Sequence, residues 1–103
     1  MSEAFVFRDW EIRPEMLEAL DRYIHKGYRP GGFLTSVLAH DLMEACQRAD
    51  DINIRNLPAY AAYMYNEMPS ASHGSYEIVD AWVANIDEVR TRTSSIGELN
   101  VTP

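Results

Sequence analysis

Three of the chain's nine Lys and Arg residues, Arg22, Lys26 and Arg29, fall within eight positions, just before the glycine pair of "YRPGGFLTSVLAHDL", residues 28 to 42. This pattern suits capture of an oxyanion. The first N–H groups of a helix have no internal partner and carry the positive end of its dipole. Glycine lets an anion approach that backbone closely. Arg22 and Lys26 are four apart and share one helix face. Tyr23, Tyr28 and Phe33 are near enough in sequence to stack on a base. The candidate ligand-binding set is therefore Arg22, Lys26, Tyr28, Arg29, Gly31, Gly32, Phe33 and Thr35, and the ligand it suits is a phosphorylated small molecule. A plainer reading of the same residues stands beside it. Pro-Gly-Gly makes tight turns, Arg22 can pair with Glu18, and a lysine often completes a helix end. The stretch lacks GxxxxGK[ST], and no strand is expected before it, so it is not a P-loop.

Other chemistry is sparse. His40-Asp41 and His73 are acid–base groups without an identifiable nucleophile or orienting partner. Ser70, Ser72 and Ser75 around His73 read as caps and turn formers. No catalytic residue is assigned, and the chain is read as a non-enzyme. There is no CxxC, HxxxH or HExxH, and the three histidines are far apart, so neither a metal site nor a cofactor is expected. The lone Cys46 cannot form an internal disulfide and reads as a small buried hydrophobe. Tyr60, Tyr63 and Tyr65 crowd one helix with Met64 and Met68. At helical spacing such a set is mostly core, yet three tyrosines in six residues cannot all face inward. The exposed remainder points to an interface and a homo-oligomer.

The elements that must hold these residues are helical. Residues 1–13, with Phe5, Val6, Phe7 and Trp10, read as an N-terminal arm. Pro14 opens a helix to Lys26, with Leu17, Leu20 and Ile24 at helical spacing and Gly27 as C-cap. A second helix is expected from Gly32 to Ala49, with Phe33, Leu34, Val37, Leu38, Leu42, Cys46 and Ala49 as its apolar stripe. After the break "ADDINIRNLP", in which Asp50 or Asp51 can cap a short turn, a third helix runs to about Glu67. Leu57, Ala61, Met64, Tyr65 and Met68 are expected inward. Ser75 caps a fourth helix to about Arg90, striped by Val79, Trp82, Val83, Ile86 and Val89. Residues 91–103 read as a polar tail. The expected fold is all-α, a compact bundle of about four helices over residues 14–90.

The bulk properties bound the function. A chain of 103 residues forms one domain. A net charge of −7 argues against the broad basic surface that direct DNA binding needs. No apolar run approaches a membrane span, and the start lacks a secretory signal, so a cytoplasmic protein is expected.

The stretch "RPGGFLTSVLAHDLMEACQRADDINIRNLPAYAAYMYNEMPSASHGSYEIVDAWV" resembles a family of short phage and prophage proteins. The resemblance lies in the glycine-led helix, "VLAHDLMEACQRADD", "YMYNEMP", and "GS" before a last helix ending near "AWV". It spans Pro14 to Val83. Family members often carry an aromatic residue before "GS", where this chain has His73. The resemblance implies a phage setting inside a bacterial host and assigns no catalytic residues. By analogy it suggests counter-defence. Two expectations follow: sequestration of a phosphorylated signal such as a cyclic nucleotide, or an acidic inhibitor docked on a host defence protein through Asp41, Glu44, Asp50 and Asp51 or the aromatic arm. A structural or regulatory phage protein is the third.

Overall fold

The computed structural model describes residues 4–86. The expected end of the last helix near Arg90, with Val89, and the polar tail lie outside the described residues, as do the first three residues of the arm. The arm is a two-stranded antiparallel hairpin. β1 (Phe5–Phe7) pairs with β2 (Trp10–Ile12), with Phe5 opposite Ile12 and Phe7 opposite Trp10. Arg8 sits in the tight turn at φ 57°. Alternating aromatic residues give this ribbon one face to bury, and it packs on a helix below. The fold is therefore mostly α with a small sheet.

α1 (Pro14–Lys26) runs as the sequence predicts. Proline occupies its first turn, and Gly27 ends it at φ 71°. A Cβ on Gly27 would meet Ile86 Cβ at 2.9 Å, so glycine is required twice over.

The expected long second helix is two. α2 (Gly32–Leu38) stops at Ala39, and α3 (Leu42–Arg48) begins after Asp41. His40 adopts φ 62°. The His40 N–H donates to the Val37 carbonyl at 3.0 Å and the Asp41 N–H to the Ser36 carbonyl at 2.9 Å. These two bonds are the Schellman pattern that ends a helix, with histidine where glycine is usual. Asp41 then caps α3, accepting the Glu44 N–H at 3.2 Å. The apolar period continues through the break, which is why a single helix was expected from it.

α4 (Asp51–Arg55) is the short turn anticipated from the aspartates; Asp50 caps it by accepting the Asn53 N–H at 2.7 Å. α5 (Leu57–Glu67) starts on Pro58. A short 3₁₀ turn (Ser70–Ser72) precedes α6, helical from 76 to 86 where the described residues end. Among the described residues, six helices and a hairpin thus replace the expected four-helix bundle.

The core gathers Ile12, Leu20, Tyr23, Leu34, Leu38, Ala59, Tyr60 and Val79. Two buried tyrosines tie its polar atoms. The Tyr23 hydroxyl donates to the Ser72 carbonyl at 2.6 Å, and burial pushes Tyr23 up to about 12. The Tyr60 hydroxyl donates to Asn53 Oδ1 at 2.8 Å, and Arg13 from the arm's end reaches the same oxygen at 3.0 Å. Phe5 meets Tyr63 edge-on at 5.1 Å, which fixes the hairpin on α5.

Candidate functional site

α2 and α3 form an antiparallel helix pair, and each end of the pair carries a candidate site. The first is the turn from α1 into α2. Gly31 is the N-cap of α2, with no side-chain cap and no acidic residue in the first turn. α3 and α4 differ, for each has an aspartate cap and an acid in its first turn. Arg48, from the far end of α3, lies over this start; its Nη1 would stand 2.9 Å from a Cβ on Gly32. A guanidinium against the positive end of a helix is an arrangement that an anion stabilises.

The structure revises the rest of the predicted set. Phe33 is buried and meets Tyr60 edge-on at 5.3 Å, so it belongs to the core and cannot stack on a base. The Thr35 hydroxyl donates to the Pro30 carbonyl at 3.1 Å and closes the turn. Arg29 pairs with Asp80 at 2.7 Å. Tyr28 stays half exposed, and Arg22 and Lys26 lie exposed at the end of α1. Gly31 has open space around it. Arg48, which sequence spacing left on the wet side of a helix, joins the group because the helix pair turns back on itself. That turn is the one signal that would have found it.

The second site is a cleft of about 340 Å³ between the α2–α3 corner and α5. Its floor and walls are mostly apolar: Val37, Leu42, Ala45, Leu57, Ala61 and Met64 contribute. Leu57, Ala61, Met64 and Tyr65 were expected inward. They do form one stripe, but α5 turns its neighbouring face, with Ala59, Tyr60 and Ala62, to the core. Met68 is buried and Leu57 and Met64 pack against the core, as expected, whereas Ala61 and Tyr65 are exposed at the cleft, Tyr65 by 87%. Leu42 and Met43 are exposed beside it, which corrects the expectation that Leu42 is core. Cys46 is half-buried, not fully enclosed.

Polar groups gather at one end of this cleft. His40 Nε2 faces His73 Nδ1 at 2.8 Å. Burial and then the neighbouring His40 hold His73 below the usual histidine range, while a hydrogen bond to the Met64 backbone carbonyl opposes them. Asp41 accepts the Tyr76 hydroxyl at 2.6 Å. That bond and the Glu44 N–H hold the Asp41 carboxyl below its ordinary range. His73 lies 32 residues beyond Asp41 in the sequence, and the fold brings it to one place with His40 and Asp41.

Charge is uneven along the chain. Residues 4–36 hold five acidic and five basic side chains, whereas residues 37–86 hold seven acidic and two. The cleft lies in the acidic part. Among the described residues no helix is long and apolar enough to cross a membrane. No family model matches this chain, and no curated protein or solved structure matches it either.

Proposed function

We propose that the protein is a non-catalytic, phage-type counter-defence protein that binds and sequesters a phosphorylated small molecule, such as a cyclic nucleotide immune signal, in the cytoplasm of a bacterial host. The observation that carries this reading is the start of α2, with no side-chain cap and no acid in its first turn, beneath the Arg48 guanidinium, where α3 and α4 each begin on an aspartate cap. Gly31 and Gly32 would offer backbone N–H groups. Arg22, Lys26, Arg29 and Arg48 would balance phosphate charge, with Arg29 exchanging Asp80 for the ligand. Tyr28 would stack on a base. The exposed Tyr65, Met43 and Leu42 support a homo-oligomer, as expected for a sponge.

The test is a thermal-shift screen of the purified protein against nucleotides and cyclic oligonucleotides. A ligand at ~100 times its dissociation constant adds about 2.7 kcal/mol. For a domain of this size that is a rise on the order of 10 °C. Lys26→Ala and Arg48→Ala should abolish the shift while leaving the unliganded melting temperature nearly unchanged. A flat screen, or a shift that survives both substitutions, would sink the reading.

One observation favours a second reading, an acidic inhibitor of a host protein. The apolar cleft opens in the acidic part of the chain, flanked by exposed Leu42, Met43 and Tyr65. Its complement is a basic amphipathic helix with one large apolar anchor. Fluorescence anisotropy with a labelled Lys- and Leu-rich helical peptide tests it. Binding that weakens with salt and is lost in Met43→Glu supports this reading; no binding, or binding insensitive to Met43→Glu, excludes it.

A further inference from the structure

We propose that His40 and His73 form a two-imidazole site for a divalent transition-metal ion, with Zn²⁺, Cu²⁺ or Ni²⁺ as the class of ligand, at the end of the cleft. The proposal is independent of the nucleotide reading, because the anion-binding turn lies at the other end of the α2–α3 pair.

The first observation is where His40 sits. It occupies the left-handed position of a Schellman motif at φ 62°, a conformation that favours glycine. A non-glycine residue there is strained. The backbone strain is held by two flanking bonds, His40 N–H to Val37 and Asp41 N–H to Ser36. The result is an imidazole projected from a rigid corner.

The second observation is how His73 is met. Gly74, at φ 143°, donates its N–H to the Leu38 carbonyl at 2.8 Å. Leu38 is the last residue of α2, so the loop bearing His73 is bolted to the helix end that carries His40. Neither ring is free to wander, and Nε2 of one faces Nδ1 of the other at 2.8 Å.

The third observation is the outer shell. The Met64 backbone carbonyl accepts from the His73 ring. Ligating histidines characteristically donate their other N–H to a carbonyl or carboxylate in this manner. The facing nitrogens, His40 Nε2 and His73 Nδ1, share one proton between them, and which ring carries it depends on the tautomer.

The proton balance is simple. In the metal-free pair one proton is shared between His40 Nε2 and His73 Nδ1. On binding, that proton moves to the outer nitrogen of the ring that carries it, and the two facing lone pairs take the ion with no net proton released. Two imidazoles at ~2.0–2.1 Å from one tetrahedral ion stand about 3.3 Å apart, so the rings separate by roughly half an ångström. Among the described residues no third His, Cys or acidic group completes the set. Water, or a side chain of whatever enters the cleft, fills the remaining positions. Both rings are accessible, His40 being exposed and His73 part-buried.

The experiment is isothermal titration of tag-free protein with ZnCl₂ and CuCl₂ at pH 7.5, on wild type, His40→Gly, His73→Gln and His25→Gln. His40→Gly is the decisive variant. It suits the left-handed corner better than histidine, so it should fold with an equal or higher melting temperature. The expected result is saturable binding by wild type and His25→Gln, at one ion per chain or one per two chains. Affinity should fall by roughly tenfold to a hundredfold or more in His40→Gly and His73→Gln. In the Cu²⁺ form, wild-type electron paramagnetic resonance should show nitrogen coupling that His40→Gly reduces. No saturable binding by wild type up to millimolar metal, or binding that both variants retain, overturns the proposal.

Discussion

The two ends of the α2–α3 pair show how differently charge and hydrophobicity speak through a sequence. At the α1–α2 end, the cations that stand out in the sequence are partly spoken for. Arg29 is held by Asp80 at 2.7 Å and Arg48 by Glu44 at 3.2 Å. An anion there must displace exposed ion pairs that are each worth about 0–1 kcal/mol. At the cleft end no cluster of charge stands out in the sequence, yet the fold assembles two imidazoles, a carboxylate and a partly uncovered apolar stripe. A cluster of charges in sequence locates side chains without telling whether they are engaged. An apolar stripe tells that something must cover it, without telling whether the chain itself does.

The largest effect that tests this contrast lies on the two faces of α5. Tyr60 points into the core and Tyr65 points away from it. Tyr60→Ala should cost about 3–5 kcal/mol, measured by denaturant unfolding, because it empties a core position and strips Asn53 and Phe33 of a partner. Tyr65→Ser should stay within about 0.5 kcal/mol. If Tyr65→Ser proves as costly as Tyr60→Ala, the cleft is an internal seam that the protein closes in solution, and its reading as an open surface fails.

The next effect separates the two glycines. Gly31 has open space around it, and Gly32 lies under Arg48. Gly31→Ala meets no steric obstacle, but alanine is a poor N-cap, and this offsets the gain from restricting the unfolded chain, so stability should change by no more than about 0.5 kcal/mol. Gly32→Ala must push the Arg48 guanidinium aside, a small change because that group is the flexible end of a side chain. If the turn binds phosphate through its backbone, Gly32→Ala should weaken the nucleotide-dependent thermal shift more than it alters the basal melting temperature. Equal shifts in wild type and Gly32→Ala would leave the backbone out of the site.

The elements legible in the sequence were those with local causes. Pro14 and Gly27 bound α1, Pro58 opens α5, and Asp50 caps α4. What sequence reasoning missed depends on tertiary placement. The His40 break is invisible because histidine replaces the glycine that would announce a helix end, and the apolar period continues past it. The hairpin was read as an arm because its turn, Arg8-Asp9, lacks the usual Asn-Gly or Asp-Gly signal. Phe33 could be placed in a binding site only while Tyr60, 27 residues later, was not known to meet it. Arg48 joined the turn only through the reversal of α3.

The smallest expected effect is a pH dependence at the cleft end. His73 is held below its unfolded range, first by burial and then by His40. A histidine lowered in this way is neutral in the folded state while the unfolded chain takes up protons. Stability is therefore undiminished above about pH 6.5 and falls as pH drops below it toward the folded value. Asp41 is lowered too, so its contribution holds above the ordinary carboxylate range and is lost only at more acidic pH. Melting temperature measured from pH 7.5 to 5 in wild type and His73→Gln should show a shallow decline that the variant flattens. A decline that persists unchanged in His73→Gln would detach His73 from the cleft's electrostatics.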